Sequence, residues 1–358
     1  MRNPIKYFPK DIQDRYNLNT KTTTTGFVYI EIKKGMNGLK QAAVLANNNL
    51  IKNLKNNGYE PIPHTNSNWH HKHNPTNFCL CVDNFGVNVF DKFDLNHLID
   101  SLQKHYKIFT YYSGKNYCGL TLAWNYKDGY VNVSMSGYVH KMLQKIQHNS
   151  STNPQFAPHS WSTPYYGARI QYTLTHDSSP LSDKKGQQFV LLVVSSFLYY
   201  GRAIDSTMLV ALNDIAAHQA APTQVIQTKC DQQLDYAAIY LDVKLHYSAS
   251  DMILHIYLEA VHLVQNGAQS CITGHYIHSS YPHPALHIPK KAPNATISIK
   301  CKTLRHVVAS AVEAKTGGRF HNAKKISHLR ILVEFTGHKQ PPTPLKTDNI
   351  TASAYVCQ

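Results

Sequence analysis

Separated acidic residues are the part of this sequence that could perform chemistry. Asp83 and Asn84 lie between two short apolar runs, 78–82 and 85–90, and an Asx dipeptide in that setting favours a tight β-hairpin. Enzymes that use two Mg²⁺ ions need several carboxylates from distant segments, with the ions about 4 Å apart. A hairpin tip could present one such ligand, although an Asx turn is also a common structural device.

Three further acids occur late in the chain. Glu259 follows a strand-like stretch, Glu313 lies in a helical pattern at 304–316, and Asp348 follows the short run 345–347. Taken by their local patterns alone, Glu313 fits a solvated helix acid and Asp348 fits a turn or N-cap residue. If the three carboxylates converge, they would form a metal site.

The elements that would position these acids form an α+β pattern. Strand, helix, hairpin, helix, hairpin and helix follow one another, which predicts helices covering one face of a mainly antiparallel sheet. The predicted ranges in this part of the chain are 27–32, 39–54, 78–90, 94–106, 120–135 and 138–147.

The second half begins with a change of composition. Residues 148–186 are rich in Ser, Pro, Asn, His and Tyr without a sustained period, which predicts a linker or exposed connection. Helical patterns follow at 187–202 and 206–220, with Asp205 or Ser206 as the N-cap between them. The strands and the helix predicted beyond residue 245 are 253–258, 274–278 and 304–316.

Composition narrows the class of protein. Lys plus Arg number 36 against 21 for Asp plus Glu, a formal charge of +15 that favours polyanionic partners. Seven cysteines, an odd number without a Cys-x-x-Cys pair, predict reduced thiols and an intracellular location, cytoplasmic or nuclear, rather than secretion. No apolar run reaches the roughly 18–20 residues of a membrane span, and the longest, 189–200, predicts a buried helix.

An ordered series of short segments resembles the Pol polyprotein of copia-type retrotransposons. Gly-Met-Asn-Gly-Leu-Lys-Gln-Ala at 35–42 resembles a Tyr-Gly-Leu-Lys-Gln-Ala box, and Cys-Val-Asp-Asn at 81–84 stands where the family has Val-Asp-Asp. Ser-Met-Ser-Gly-Tyr-Val at 134–139 resembles Ser-Met-Pro-Gly-Tyr-Val. Each box is weakly specific, and their order carries the resemblance. The other matching segments are 117–122, 198–203, 234–237, 309–314 and 347–349.

The resemblance implies that residues 1–147 form part of a reverse transcriptase, with palm-like and thumb-like elements. Asp83 would be a catalytic metal ligand, and Asn84 replaces the second acid with a neutral amide, a poorer ligand for Mg²⁺. Gln41 and Lys40 would lie near the incoming nucleotide or the template. The family's first catalytic Asp belongs to an earlier strand, and we expect the chain to lack it.

The resemblance also implies a ribonuclease H-like mixed α/β domain, C-terminally truncated, over residues 245–358, joined by a linker and helical connection at 148–244. Glu259 would replace the first Asp ligand, one methylene longer, and a misplacement of about 1 Å can cost on the order of 100-fold in rate. Glu313 would be the second catalytic metal ligand and Asp348 the third. We expect the family's fourth acid to be absent.

The function implied is RNA-directed DNA polymerase and ribonuclease H chemistry with Mg²⁺, in a fragment impaired at both sites. Its partner would be an RNA/DNA hybrid or a template-primer, with no membrane. One alternative is a non-catalytic, basic nucleic-acid-binding protein. Another is an unrelated metal-binding interaction protein, for which histidines at 64–73 near Cys79 and Cys81 are candidate ligands without zinc-finger spacing. Four lysine pairs are interpreted as solvated faces unless they converge: 33–34, 184–185, 290–291 and 324–325.

Overall fold

The α+β pattern predicted from the sequence is confirmed by a computed structural model of the chain, in which helices alternate with mainly antiparallel sheets. Contacts divide the chain into two compact units, one of Met1–Glu60, Trp69–Asn77 and Val87–Phe109, the other of Pro61–Asn68, Phe78–Gly86 and Thr110–Gln358. The residues that the structure describes are 2–31, 40–65, 67–149, 154–160, 177–265, 269–280 and 294–348.

In its described residues, the first unit contains three α-helices and a small two-stranded sheet. Its two longer helices confirm the apolar periodicities at 39–54 and 94–106, and Asp91 caps the second of them by accepting a hydrogen bond from the Asp94 amide at 3.0 Å. The strand predicted at 27–32 ends at Tyr29. The elements are α1 Lys10–Arg15, α2 Lys40–Asn56 and α3 Lys92–Gln103, with β1 Arg2–Pro4 antiparallel to β2 Phe27–Tyr29.

A four-stranded sheet has the order β3-β4-β5-β6. Its last two strands form the hairpin predicted at 78–90, whereas the first two are not predicted, because their residues lie among His, Asn and Pro rather than in an apolar alternation. The strands are β3 Tyr59–Pro61, β4 Asn68–His71, β5 Asn77–Cys81 and β6 Asn84–Asn88.

In the second unit, a sheet of order β10-β9-β8-β7 is accompanied by four helices. The hairpin predicted at 120–135 and the helix predicted at 138–147 are confirmed. Strand β10 pairs antiparallel with β9, so the chain from residue 245 onward begins in a sheet made by residues before 147. The strands are β7 Asn116–Tyr117, β8 Leu120–Asn125, β9 Tyr130–Ser134 and β10 Leu245–Ser248.

Four of the described helices of this unit surround one apolar core, in which Val193, Phe197 and Leu234 have no exposed surface. The helix predicted at 187–202 is confirmed as a buried helix, and Asp205 caps the next turn by accepting from the Thr207 amide. The helices are α4 Tyr138–Ile146, α5 Lys184–Ala203, α6 Leu209–Ala217 and α7 Gln224–Ile239.

The last sheet along the described chain is mixed and has the order β13-β12-β11-β14. Strands β11 Ile253–Gln265, β12 Gln269–Ser279 and β13 Ser298–Thr303 are antiparallel neighbours, whereas β14 Leu345–Thr347 runs parallel to β11. One helix, α8 Ala311–Phe335, packs on this sheet.

Helix α8 corrects the helix predicted at 304–316. Residues 304–310 are not helical, since Ser310 takes an extended conformation and caps the helix by accepting from the Glu313 amide. The helix then continues for five turns beyond the predicted end, where Gly, His and Lys obscure its apolar stripe. That stripe is present, because Ile326 and Val333 are buried in a core with Leu254 and Ile256 of β11.

Candidate functional site

The hairpin of β5 and β6 presents the predicted polymerase residues at its tip. Strand β5 ends at Cys81 and β6 begins at Asn84, so the turn is Val82 and Asp83. The predicted turn, Asp83 with Asn84, is wrong by one position because Asn84 belongs to the strand. Val82 has φ of 58° and is 89% exposed. A left-handed backbone costs a β-branched residue about 1–3 kcal/mol, so the turn is strained.

A tyrosine supports the base of this hairpin. The Tyr117 hydroxyl donates a hydrogen bond to the Cys79 carbonyl at 3.0 Å, and burial is the main cause that raises the pKa of that hydroxyl. A Cβ at Gly86 would lie 3.0 Å from the Tyr117 ring, so glycine allows the ring to approach the strand. The hairpin is therefore anchored to β7, which ends at Tyr117.

The tip itself offers one carboxylate. Asp83 and Asn84 are both exposed, and the Asn84 amide nitrogen donates to Asp83 Oδ1 at 3.2 Å. Among the described residues, no group of three or more His, Cys, Asp and Glu side chains is placed to hold a metal. A single exposed carboxylate beside a neutral amide does not fit a two-ion Mg²⁺ site.

The residues predicted to contact nucleotide or template lie at the start of α2. Gln41 is exposed in the first turn of that helix. Lys40 begins the helix, but its side chain lies outside the described residues, as do residues 35–39 of the matching segment. The predicted contact of Gln41 and Lys40 with nucleotide or template stays a prediction.

The second predicted site does bring two of its acids together. Glu259 lies on β11 and Asp348 directly follows β14, the strand parallel to β11. The Lys315 ammonium of α8 lies 3.1 Å from Glu259 Oε1 and also donates a hydrogen bond to Asp348 Oδ1. The Lys315 side chain is only 11% exposed, against 46% for Glu259 and 63% for Asp348.

These contacts fix the charge of the cluster. The hydrogen bond from Lys315 is the main cause that lowers the pKa of Asp348, so this carboxylate stays ionised at neutral pH. Burial alone would lower the pKa of Lys315, but its bonds to Asp348 and Glu259 outweigh burial and raise it. Asp348 and Lys315 are therefore held in their charged forms, and the Lys315 ammonium contacts both carboxylates.

Glu313, predicted as the second acid, has another role. It is the third residue of α8, and its Oε2 accepts a hydrogen bond from the Ala309 amide at 2.7 Å while Ser310 Oγ accepts from the Glu313 amide at 3.1 Å. This arrangement resembles a capping box, except that the Glu313 carboxylate accepts from the amide of Ala309, one residue before the N-cap Ser310. The prediction that Glu313 joins Glu259 and Asp348 is therefore corrected: Lys315 does.

An open pocket of about 390 Å³ adjoins the pair. Within it the Lys346 ammonium lies 5.0 Å from the centre of the Tyr257 ring, which is 40% exposed. An exposed ring beside a cation suits stacking on a base and contact with a phosphate. The pocket is lined by Tyr257, Leu258, Glu259, His275, Lys346, Thr347 and Asp348.

The residues present do not fit the Mg²⁺ ion that the resemblance implies here. Mg²⁺ takes hard oxygen ligands in octahedral geometry, and adjacent carboxylates stay ionised when a cation offsets their repulsion. In this chain Lys315 supplies that cation through Glu259 and Asp348. A metal ion would have to displace this ammonium. In the sequence, Lys315 is marked only by its position, two residues after Glu313.

His71, one of the histidines considered as zinc ligands, packs against aromatic rings instead. The Tyr59 hydroxyl is 2.9 Å from His97 Nδ1, and the His71 ring lies 4.8 Å from the Tyr59 ring and 5.1 Å from that of His97. His71 Nδ1 accepts from two backbone amides, and its other ring nitrogen is 3.2 Å from the Asn57 carbonyl. Both ring nitrogens of His71 are thus engaged within the fold.

The buried side chain of His278 predicts that the folded chain is less stable at acidic pH. The pKa of His278 is lowered from 6.5 to about 4, mainly by burial; the nearby His338 and His255 act in the same direction, and a backbone hydrogen bond to Met252 opposes them. As the pH falls, His278 is protonated in the unfolded chain before it is protonated in the folded chain. Its contribution to the free energy of unfolding is therefore complete above pH 6.5 and decreases as the pH falls toward 4. We expect a loss on the order of 3 kcal/mol from this group.

Urea unfolding at pH 7 and pH 4.5 measures this loss. His278→Gln should reduce the pH dependence of the unfolding free energy, while His306→Gln, at an exposed position of the same unit, should leave it unchanged. Equal pH dependence in the wild type and in His278→Gln would contradict the assignment.

Comparison with models of protein families finds no match, and a search of curated proteins finds no matching relative. The resemblance to copia-type polyproteins thus rests on the quoted segments. In the part of the chain that the structure describes, no helix combines the length and apolar character that crossing a bilayer requires.

Proposed function

We propose that this chain binds RNA/DNA hybrids or template-primer duplexes without copying or cleaving them, as an impaired derivative of a copia-type reverse transcriptase and ribonuclease H. The observation that carries the proposal is the Lys315 ammonium, which contacts both Glu259 and Asp348. It stands where the implied nuclease would need a divalent cation, and it offsets part of the repulsion between the two acids without one.

The polymerase-like hairpin supports the same conclusion. Asp83 is a single exposed carboxylate whose neighbour, Asn84, supplies an uncharged amide. Transfer of a nucleotide by two metal ions requires ligands that hold both ions at once. We therefore propose that the hairpin keeps the shape of a catalytic element without its ion site.

Binding is supported by charge and by the pocket beside the acid pair. The formal charge of +15 favours a polyanion, since each neutralised phosphate releases counterions. Lys346 and Tyr257 add a cation and an exposed ring at the pocket. A hybrid is recognised through its phosphates and through the 2′-hydroxyls of the RNA strand.

A slow Mg²⁺-dependent nuclease is the second candidate. It is favoured by one observation, the position of Glu259 on β11 and of Asp348 directly after the neighbouring parallel strand β14. In that case Mg²⁺ would compete with Lys315 for the two carboxylates, and activity would appear only at high metal concentration.

One experiment separates the two candidates. We expect the purified chain to retain a labelled RNA/DNA hybrid with a recessed primer end at low salt, and neither to shorten the RNA nor to extend the primer with Mg²⁺ and dNTPs present. Gel analysis of both strands measures each outcome. RNA cleavage that disappears in Glu259→Gln would establish the nuclease, and primer extension that disappears in Asp83→Ala would establish the polymerase.

A further inference from the structure

Four lysines converge at one edge of the mixed sheet. Lys300 and Lys302 lie on β13, the edge strand, and Lys324 and Lys325 lie on α8. These four residues are called the β13–α8 basic cluster. The interpretation of 324–325 as a solvated face is corrected for Lys325, which is half-buried.

Hydrogen bonds hold the strand and the helix together at this place. The Lys300 ammonium donates to the His321 carbonyl at 2.7 Å, and the Lys325 ammonium donates to Ser298 Oγ at 2.8 Å and to the Ile299 carbonyl at 3.1 Å. Residues two apart on a strand share a face, so Lys302 lies on the same side of β13 as Lys300. The cluster is therefore built by the fold.

Acidic residues are missing from the segments that form the cluster. The sequence contains no Asp or Glu between Glu259 and Glu313, and none in α8 between Glu313 and Glu334. Within the described ranges, no ion pair joins a carboxylate to any of the four lysines. The cluster thus concentrates positive charge without a local counterion from these segments.

The pKa values of two lysines of the cluster are lowered, partly because their charges lie close together. Burial, followed by the charges of Lys300 and Arg202, lowers the pKa of Lys325 to about 8. Burial and then Lys302 and Lys324 likewise lower the pKa of Lys300. Repulsion among cations destabilises the folded chain, and an anion bound across the cluster would relieve it. A ligand with closely spaced negative charges fits this surface best.

We propose that the β13–α8 basic cluster is the surface through which this chain contacts the phosphate backbone of double-stranded nucleic acid. Duplex DNA carries one negative charge per about 1.7 Å of its axis, which suits several cations along one strand and one helix. This inference rests on the proposed function, because it locates the surface that the hybrid would occupy.

A nucleic acid fits this surface better than an anionic membrane does. Helices that lie on bilayers insert an apolar face into the headgroup region. The apolar face of α8 is already covered, since Ile326 and Val333 are buried against β11 and β12. Phe320 is 67% exposed beside the His321 ring, and aromatic rings interleaved with cations are typical of nucleic-acid surfaces.

Two double variants with the same change of charge test the proposal in the full chain. Lys302→Gln with Lys324→Gln removes two exposed charges from the cluster, and Lys184→Gln with Lys185→Gln removes two exposed charges from the start of α5 in the same unit. Affinity for a labelled RNA/DNA hybrid is measured by fluorescence anisotropy across a series of salt concentrations.

Log affinity falls with log salt, and we expect this dependence to be less steep in the cluster variant by about 1.8, or about 0.9 for each lost phosphate contact. At about 0.1 M salt this corresponds to an affinity tens of times weaker. The α5 variant should retain the wild-type slope. Thermal unfolding of the cluster variant should be unchanged or shifted upward, since repulsion is removed, so a loss of folding would not explain weaker binding.

Other outcomes would overturn the proposal in distinguishable ways. If the wild type binds the hybrid and both double variants weaken it equally, binding is diffuse and the assignment to the cluster fails alone. If none of the three proteins binds the hybrid, the proposed function fails as well. If phosphatidylserine vesicles bind the wild type as tightly as the hybrid and lose binding in the cluster variant, the partner is a lipid surface.

Discussion

Replacing Lys315 with glutamate is expected to make the stability of this chain depend on Mg²⁺. The variant would place a third carboxylate between Glu259 and Asp348, where the wild type has an ammonium in contact with both. Three carboxylates repel one another without a metal, so the variant should be less stable than the wild type in a chelator. Hard oxygen ligands in that number fit Mg²⁺, which should restore the loss.

The size of the effect follows from linkage. A ligand that binds only the folded state stabilises it by about 2.7 kcal/mol at 100 times its dissociation constant. Thermal unfolding with and without Mg²⁺ should therefore show a rise in Tm for Lys315→Glu and no rise for the wild type. Lys324→Glu, an exposed residue of the same helix with the same change of charge, serves as the matched control.

Two results would contradict this explanation of the acid pair. A wild-type chain stabilised by Mg²⁺ as strongly as Lys315→Glu would mean that the ammonium yields readily to the metal. A Mg²⁺ response shared by Lys324→Glu would mean that any added carboxylate on α8 binds the ion. Lys315→Met adds a further check, because it removes the ammonium without adding a ligand and should respond to Mg²⁺ less than Lys315→Glu does.

Sequence reasoning located two members of this cluster but not the third. Glu259 and Asp348 follow strand-like segments, and the ends of neighbouring strands lie close together in a sheet. Glu313 is predicted on α8 because segment 309–314 resembles an acidic box of the family, whereas its local pattern alone indicates a solvated helix acid. Its carboxylate instead caps the helix, and the start of a helix cannot be fixed until its N-cap, Ser310, is known.

Local periodicity predicted most helices well and the last one poorly. The apolar stripes of α2 and α5 are regular, so their ranges agree with the structure within a few residues. Helix α7 is not predicted, although Ile226, Cys230 and Leu234 recur at helical spacing and are buried, because Gln, Thr and Asp are frequent in the rest of the segment. In α8, two consecutive glycines and many basic residues hide the stripe.

Long-range packing explains features that periodicity could not predict. The tight approach of α8 to β12 depends on Gly274 and on the fully buried Asn322, residues far apart in the chain. The Asn322 amide nitrogen donates to the Gly318 carbonyl at 2.9 Å, and its Oδ1 accepts from the Tyr276 hydroxyl at 2.6 Å. A buried amide satisfied in this way holds the helix at a fixed distance from the sheet.

Gly274→Ala is therefore expected to destabilise the second unit by about 3 kcal/mol, the upper end of the cost of overpacking a core. A Cβ at residue 274 would lie 2.1 Å from Asn322 Oδ1, and the three closest atoms all belong to the Asn322 side chain. Relief would require moving an amide that is hydrogen-bonded to Tyr276 and Gly318. Urea unfolding followed by circular dichroism measures the change.

The same geometry predicts that Asn322→Ala suppresses the effect of Gly274→Ala. Asn322→Ala alone should cost about 3 kcal/mol, because it leaves the buried Tyr276 hydroxyl without its closest partner and opens a gap. When residue 322 is alanine, its side chain ends at Cβ and no longer meets an alanine at 274. The loss of unfolding free energy caused by Gly274→Ala should then fall to near zero. Costs that simply add in the double variant would show that the strand and helix do not meet at this pair.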